Sequence, residues 1–181
     1  MCKKNYYKNR LSLRLGRSAV FLDRDGTINY DYGYTYQFSR FKFRPYVIKG
    51  LRHLCKKGYY IFIVTNQAGI AKGKFKISDL VKLHKKVISY LKKKKIYITE
   101  IHYCPYHPKA IIKKYRKKTA YRKPGNLMIK KIFKNWKINK KKSFMIGDMM
   151  SDKIAAKKSH LYFEYVKNNF YKQIKNIESK I

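Results

Sequence analysis

The sequence has few acidic residues and no long apolar run. Nine Asp and Glu stand against 46 Lys and Arg, so the formal net charge is +37. No apolar run approaches the ~20 residues that a membrane-spanning helix needs, which argues against an integral helical membrane protein. Residues 1–17 are basic but contain no apolar block and no small-residue cleavage site, so we do not expect a secretory signal.

Cysteine is also scarce. Cys2, Cys55 and Cys104 are an odd number and lack the spacing of a disulfide framework. Such usage is typical of a reducing compartment, and we expect the protein in the cytoplasm. With 181 residues, 45% of them hydrophobic, the chain is long enough for one domain with a substantial core. We expect that domain over residues 19–181, behind a basic lead-in at 1–18, and we expect a monomer.

The basic charge has two interpretations. It is typical of a protein that binds nucleic acid or a membrane surface. It is also what compositional drift would produce, because Lys, Ile, Tyr, Asn and Phe are abundant, and these residues are written with A- and T-rich codons. The lysines are spread along the whole chain, so we favour drift, with nucleic acid bound only nonspecifically through charge. In either case the field attracts anions, including phosphorylated substrates.

The few acidic residues are concentrated in two short windows. An even spread over 181 residues would put about 0.5 acids in the ten positions 23–27 and 148–152. These windows hold four of the nine: Asp23, Asp25, Asp148 and Asp152. An Asp before a Gly is a common turn former, but that explains one residue and not the concentration. We therefore favour a shared metal site.

Strands and helices alternate along the chain. Four apolar residues run into Asp23, which predicts a buried strand with Asp23 at its carboxyl end, where open α/β sheets place their ligands. Asp25 follows, Gly26 permits a sharp turn, and paired carboxylates suit Mg²⁺. The pattern predicts strands at 19–23, 59–64, 96–103, 143–146 and 161–166, with helices from Pro45 to Gly58, from Ser78 or Asp79 to about 95, over 127–136 and over 151–159. This alternation predicts an α/β fold with a parallel sheet.

Two segments are ambiguous. Residues 26–44 are rich in Tyr and Phe, and they predict a loop or short hairpin over the end of the first strand. Its tyrosines are consistent either with one face of a strand or with a lid against substrate: Tyr30, Tyr32, Tyr34 and Tyr36. The tail after residue 166 has only a weak pattern.

Polar residues at the strand ends form a set suited to phosphoryl transfer. Such transfer depends on positioning and charge stabilisation. A carboxylate can act as nucleophile, a second carboxyl can protonate the leaving oxygen, and a metal with a cation can shield the phosphoryl group. Thr65 follows the second strand, and Lys123 precedes Pro124 in the loop before the fourth.

This set resembles the haloacid dehalogenase-like phosphatase superfamily. The matching pieces are Asp-x-Asp-Gly-Thr at 23–27, Thr65, Lys123 and Gly-Asp-x-x-x-Asp at 147–152. The resemblance implies a Rossmann-like three-layer α/β/α fold with a mostly parallel sheet and a minimal cap.

A closer resemblance is to the D-glycero-D-manno-heptose 1,7-bisphosphate 7-phosphatase branch, shared with histidinol-phosphate phosphatases. It rests on Phe-Leu-Asp-Arg-Asp-Gly-Thr-Ile-Asn at 21–29, Asp-x-Gly-Tyr at 31–34, Thr-Asn-Gln-x-Gly-Ile-Ala-x-Gly at 65–73, Tyr-Cys-Pro-x-His-Pro at 103–108 and Arg-Lys-Pro at 122–124. The resemblance implies removal of the 7-phosphate of a heptose bisphosphate in ADP-heptose synthesis for lipopolysaccharide. Histidinol phosphate is the alternative substrate, and a basic nucleic-acid-binding protein on a phosphatase scaffold is the alternative from another class.

The resemblance also implies roles for individual residues. Asp23 would be the nucleophile and Asp25 the general acid/base. Mg²⁺ would be held by Asp23, the backbone carbonyl of Asp25, and Asp148. Thr65 and Lys123 would grip the phosphoryl group. The residues implied to contact substrate are Asp31, Tyr32, Gly33, Tyr34, Asn66, Gln67 and Arg122.

The chain departs from the branch at its zinc site. The family often binds structural zinc through Cys-x-His followed by Cys-x-Cys, and such a site needs four N or S ligands. Here only Cys104 of the four remains. The other positions hold Tyr106, Thr119 and Tyr121. We therefore expect no zinc and a looser 104–122 loop. Met149 stands where the branch often has a lysine near the substrate, which bears on substrate preference.

Overall fold

The computed structural model describes residues 16–181 and places a five-stranded sheet at the centre of the molecule. The strands are β1 (Ala19–Leu22), β2 (Tyr60–Asn66), β3 (Glu100–Cys104), β4 (Phe144–Gly147) and β5 (Tyr162–Tyr165). Their order is β3-β2-β1-β4-β5, and every neighbouring pair is parallel. The parallel α/β sheet predicted from the sequence is therefore confirmed.

Helices cover both faces of this sheet. The six α-helices among residues 16–181 are α1 (Val47–Lys56), α2 (Ala68–Ala71), α3 (Ile77–Lys93), α4 (Leu127–Asn135), α5 (Met150–Lys157) and α6 (Phe170–Glu178). Apolar residues of α1, α3 and α6 pack with Val20 and Leu22 on one face. Residues of α4 and α5 pack with Ala19 and Phe21 on the other. Alternate residues of β1 thus face opposite cores, which is the predicted three-layer arrangement.

The topology brings together the polar segments that follow β1, β2 and β4, at the carboxyl ends of these neighbouring strands. The chain runs outward from β1 through β2 to β3 and then returns to place β4 on the other side of β1. A crevice forms outside the carboxyl ends of the strands at such a switch point. Asp23 and Asp148 therefore follow adjacent strands, and the backbone N–H of Asp23 donates to the Ile146 carbonyl at 3.1 Å.

The chain that covers this crevice is short. Between β1 and α1 the only regular element is a 3₁₀ turn at Phe38–Arg40, which agrees with the predicted minimal cap. The tyrosines at 30–36 do not form a strand there. Tyr36 stacks on Phe75, whereas Tyr32 is 53% exposed.

Several element boundaries differ from those predicted. Helix α3 begins at Ile77, and Asp79 lies in its first turn, where its Oδ2 accepts from the Lys76 backbone N–H at 2.9 Å. Ile88 is 39% exposed because it lies outside the buried stripe of that helix. Strand β3 begins at Glu100, whereas the predicted strand begins at residue 96. Just before Glu100, the hydroxyl oxygen of Thr99 replaces a backbone carbonyl as acceptor of the Ile61 N–H, at 2.9 Å.

Two helices lie outside the predicted set. Residues 68–76, which no predicted strand or helix covers, contain α2. The weakly patterned tail contains α6, which buries Phe170, Ile174 and Ile177 at helical spacing. Its first turn is capped by Asn169, whose Oδ1 accepts from the Lys172 N–H at 3.0 Å.

The predicted lead-in at 1–18 falls mostly outside the described residues, which begin at 16, and the domain division stays a prediction. Arg17 pairs with the chain after α4: its N–H donates to the Lys137 carbonyl at 3.1 Å, and its carbonyl accepts from the Asn139 N–H at 3.0 Å. Within residues 16–181, no helix combines the length and the apolarity needed to cross a membrane.

Backbone and side-chain hydrogen bonds close the loop 104–122. The His107 N–H donates to the Tyr115 carbonyl at 3.1 Å, and Arg116 Nε donates to the Ala110 carbonyl at 2.8 Å. Two further backbone N–H groups, those of Ile111 and Ile112, donate to the carbonyl of Ala71 in α2. These bonds tie the loop to the neighbouring helix, while the expected absence of zinc stays a prediction.

Zinc content tests that expectation. We predict well below one zinc per chain, because His102 Nε2 is 2.7 Å from Glu100 Oε2 and Cys104 has no second cysteine in the loop. The measurement is elemental analysis of protein purified without chelators. Cys104→Ser is the matched control and should leave the zinc content unchanged. One equivalent of zinc that is lost in Cys104→Ser would contradict the prediction.

A second prediction concerns the attachment of α6 to β5. Burial raises the pKa of Glu164, but hydrogen bonds from Lys180, Gln173 and Tyr162 outweigh it and lower the pKa to about 2. A carboxylate whose pKa falls on folding stabilises the fold above its unfolded pKa of about 4.5 and loses that contribution as pH falls towards 2. Glu164→Gln should lower the free energy of unfolding by about 1 kcal/mol at pH 7, since one partner is an exposed lysine.

Urea unfolding at pH 7 and at pH 3 measures this effect. The difference between wild type and Glu164→Gln should shrink at the lower pH. Glu100→Gln, which alters a carboxylate on the opposite edge of the sheet, is the control. A difference that is the same at both pH values would contradict the assignment.

Candidate active site

A buried lysine joins two aspartates at the carboxyl edge of the sheet. Lys123 Nζ lies 2.7 Å from Asp23 Oδ1, 2.5 Å from Asp152 Oδ1 and 2.8 Å from the Val64 carbonyl oxygen. The lysine side chain is 3% exposed and that of Asp152 is 1% exposed. The side chain of Asp23 retains 10% exposure, so the nucleophile candidate still has an accessible edge.

Three carboxylates converge beside this lysine. One oxygen each of Asp23, Asp148 and Asp152 lies within 4.8 Å of the others. Burial raises the pKa of Asp23 to about 7, although the Lys123 ammonium acts in the opposite direction. Burial, followed by the charge of Asp152, also raises the pKa of Asp148. The cluster thus holds more negative charge than one lysine balances.

The cluster fits a small divalent cation. Asp148 Oδ1 is buried and has no hydrogen-bond partner. Gly26 has a φ of +80°, and a Cβ there would collide with the Asp148 carboxylate. The turn therefore needs glycine both for its backbone conformation and for this close approach. Carboxylate oxygens in such an arrangement are the ligands that Mg²⁺ prefers.

Asp152 has a structural role that its place in the sequence did not specify. It is fully buried, and its Oδ2 accepts from the Met149 N–H at 3.0 Å. A Cβ at Gly147 would collide with its side chain. Asp152 therefore closes the turn after β4 and forms a second ion pair with Lys123.

Asp25 is held separately from the three-carboxylate cluster. Arg24 donates to both of its oxygens, with Nη2 at 2.9 Å from Oδ1 and 2.7 Å from Oδ2. Asn29 Nδ2 donates to Oδ1 and Gln67 Nε2 to Oδ2, each at 2.9 Å. The Asp25 side chain is 19% exposed, so part of it faces the crevice.

The end of β2 organises the neighbouring groups. Gln67 Nε2 also donates to Thr65 Oγ1 at 3.0 Å, which couples Thr65 to Asp25. Asn66 forms a reciprocal pair with the backbone of Lys123: its Nδ2 donates to the carbonyl at 3.0 Å, and its Oδ1 accepts the N–H at 3.1 Å. Asn66 thereby positions the segment that delivers the buried lysine.

The remaining predicted substrate residues lie in two loops, one between β1 and α1 and the other between β3 and α4. Asp31 Oδ1 accepts from the Gly33 N–H at 2.9 Å, which shapes the turn that presents Tyr32 and Tyr34. The Tyr34 hydroxyl accepts from Lys72 Nζ at 3.0 Å. Arg122 is half-buried and donates through Nη1 to the Tyr106 carbonyl at 3.4 Å.

Lys72 and Arg122 both lie close enough to His107 for their charges to act on it. Burial lowers the pKa of His107, and the charges of Arg122 and Lys72 lower it further. Such a local concentration of cations favours binding of a phosphorylated molecule.

The structure adds site residues that the sequence interpretation missed. The sequence motifs predict no role for Arg24, Asn29, His84 or Lys72. A signal for Arg24 was present, because it stands between two aspartates in a chain with only nine acids. His84 had no such signal, because it lies on α3, about 60 residues from the motif that it approaches.

Comparisons with known proteins identify relatives of this chain. A family model described as Polynucleotide kinase 3 phosphatase matches residues 21–177. The D-glycero-beta-D-manno-heptose-1,7-bisphosphate 7-phosphatase of Rhodopseudomonas palustris is 40% identical over 141 residues, which are 78% of this chain and 78% of that protein.

Solved structures share the fold. A Mesorhizobium loti protein described as a HAD-like phosphatase aligns with a TM-score of 0.81 and 24% identity, over 91% of this chain and 87% of the other. The D,D-heptose 1,7-bisphosphate phosphatase of B. bronchiseptica, complexed with magnesium and phosphate, aligns with a TM-score of 0.74 and 22% identity, over 88% of this chain and 86% of the other. The predicted resemblance is confirmed, and the chain belongs to the haloacid dehalogenase-like phosphatases, in the family of the D-glycero-beta-D-manno-heptose-1,7-bisphosphate 7-phosphatases.

Proposed function

We propose that this protein is a Mg²⁺-dependent phosphatase that removes the 7-phosphate of D-glycero-D-manno-heptose 1,7-bisphosphate in ADP-heptose synthesis for lipopolysaccharide. The observation that carries the proposal is the accessible Asp23 carboxylate, held by buried Lys123 beside the orphaned Oδ1 of Asp148. The named activity of the 40% identical relative supports the choice of substrate. Cytoplasmic location and a monomeric state are part of the same proposal.

The residues supply the parts of a two-step transfer. Asp23 attacks phosphorus through one carboxylate oxygen, and the bond from phosphorus to the leaving oxygen breaks. Asp25 gives its proton to that oxygen, and the sugar leaves with a hydroxyl group. Asp25 then takes a proton from water as the water attacks the aspartyl-phosphate, which releases phosphate and restores both carboxyl groups.

Neighbouring groups hold the reactants during both steps. Lys123 fixes the Asp23 carboxylate and offsets the charge of the phosphoryl group, and Thr65 is placed by Gln67 to donate to a phosphoryl oxygen. Asp23, the Asp25 carbonyl and Asp148 would hold Mg²⁺, which would offset the negative charge of the phosphoryl group and of the attacking carboxylate. Lys72 and Arg122, whose charges both act on His107, could bind the second phosphate of a bisphosphate.

Asp23→Asn tests the nucleophile and the substrate together. We expect phosphate release from the heptose bisphosphate to fall roughly 10³-fold or more, because the neutral amide cannot form the acyl phosphate. The assay measures phosphate release with Mg²⁺ from heptose 1,7-bisphosphate, histidinol phosphate and a 3′-phosphorylated oligonucleotide. Asp79→Asn, at the start of α3, is the control. Faster release from histidinol phosphate or from the oligonucleotide would overturn the substrate, and full activity in Asp23→Asn would overturn the nucleophile.

Metal dependence tests the role of Asp148. Chelation should abolish phosphate release and Mg²⁺ should restore it. Asp148→Asn should raise the Mg²⁺ concentration for half-maximal activity roughly 10-fold or more, since it removes a charged ligand whose Oδ1 has no protein partner. A Mg²⁺ titration of wild type, Asp148→Asn and the Asp79→Asn control gives the result. An unchanged half-maximal concentration in Asp148→Asn would exclude it as a ligand.

A further inference from the structure

Arg24 is the largest fully buried side chain of the described residues, and it lies between Asp23 and Asp25 in the sequence. A buried guanidinium costs considerable free energy unless it is paired and hydrogen-bonded. The Asp25 carboxylate supplies the countercharge at 2.7 Å. The orientation of the carboxylate therefore depends on the contacts that fix the guanidinium group.

All three guanidinium nitrogens have partners. Nε and Nη2 donate to Asp25, and Nη2 also donates to the Thr35 carbonyl at 2.7 Å. Nη1 lies 3.1 Å from Nε2 of His84, a buried residue on α3. An arginine has no acceptor, so His84 Nε2 must accept this hydrogen bond. Hydrogen bonds to Asp25, Thr35 and His84 therefore fix the orientation of the guanidinium plane.

His84 is suited to that role. Burial, followed by the Arg24 charge, lowers the pKa of His84 to about 3, so the ring is neutral and Nε2 can accept. The ring also lies edge-on to Tyr103 with centroids 6.0 Å apart, which fixes its plane.

We propose that His84 and Arg24 are positioning residues that hold the Asp25 carboxyl in the orientation for proton transfer to the leaving oxygen. This inference rests on the proposed phosphatase mechanism and assigns roles to two residues outside its reacting groups. Asn29 and Gln67 hold the same carboxyl from other directions, so Asp25 would keep partial function when His84 is replaced.

Leaving-group dependence separates positioning of an acid from general support of the fold. A primary alkyl phosphate, such as the 7-phosphate of the heptose, needs a proton on its leaving oxygen. p-Nitrophenyl phosphate releases a stable phenolate and needs little protonation. A defect in Asp25 orientation therefore slows hydrolysis of the alkyl phosphate more than hydrolysis of p-nitrophenyl phosphate. General loosening of the site slows hydrolysis of both substrates.

The experiment compares kcat/KM for the two substrates, with saturating Mg²⁺, in wild type and four variants. His84→Leu removes the acceptor, and His84→Gln keeps an acceptor at the end of the side chain. Asp25→Asn sets the scale for loss of the acid. Val87→Ala is a buried change on the same helix, outside the hydrogen-bond network.

We expect His84→Leu to lower kcat/KM for the alkyl phosphate roughly 10- to 100-fold, a part of the 10² to 10⁴ that general acid catalysis contributes. The loss with p-nitrophenyl phosphate should be less than about 3-fold, and His84→Gln should recover most of the alkyl phosphate rate. Val87→Ala should change both substrates alike. Equal losses on both substrates in His84→Leu, or no rescue by His84→Gln, would overturn the inference.

Two further results separate this inference from the proposed function. Hydrolysis of p-nitrophenyl phosphate without hydrolysis of the heptose would reject only the heptose, and another primary alkyl phosphate would then serve in the comparison. Nitrogen NMR of the histidine rings tests the contact without turnover. Nε2 of His84 should be unprotonated at neutral pH, and a protonated Nε2 would overturn the inference whatever the activity.

Discussion

The site depends on the ion pairs that Lys123 makes with Asp23 and Asp152. Lys123 is buried, and the two carboxylates outweigh the effect of burial and raise its pKa, so it stays charged. Breaking a buried pair leaves an uncompensated charge, which costs several kcal/mol. The loop that carries Lys123, the turn after β4 and the end of β1 are therefore fixed relative to one another by one ammonium group. The Val64 carbonyl, which also accepts from it, adds β2 to the same junction.

The acidic residues away from the carboxylate cluster also make defined contacts. Asp31 and Asp79 accept backbone N–H groups at turns or helix starts. The three glutamates each pair with a cationic or aromatic partner: Glu100 with His102 and Trp136, Glu164 with Lys180, and Glu178 with His53. In a chain of charge +37, the few acids thus lie where a carboxylate is needed for a turn, a pairing or chemistry.

Two separate networks act on the two catalytic carboxyl candidates. Asp23 lies in the carboxylate cluster with Lys123, whereas Asp25 is surrounded by the neutral or cationic donors Arg24, Asn29 and Gln67. Asp23 and Asp25 are two positions apart in the sequence, yet the charges of their neighbours differ, and so does the exposure of their side chains. Environments that differ in this way allow one carboxyl to serve as nucleophile and the other as acid and base. Gln67 connects the two regions through Thr65 at the end of β2.

The sequence alone determined the alternating α/β pattern and the position of Asp23. A short apolar run must be buried in the parallel sheet, and the charged residue that ends it must then lie at the end of the strand. It also indicated the metal site, because four of the nine acidic residues fall in two short windows of the sequence. The apolar residues that α6 buries, Phe170, Ile174 and Ile177, recur at helical spacing in the sequence itself. The contacts of Asp152, Arg24 and His84 were decided only by tertiary structure. They depend on which side chains from distant segments share a buried volume, and hydrogen bonds across about 60 residues leave no local pattern in the chain.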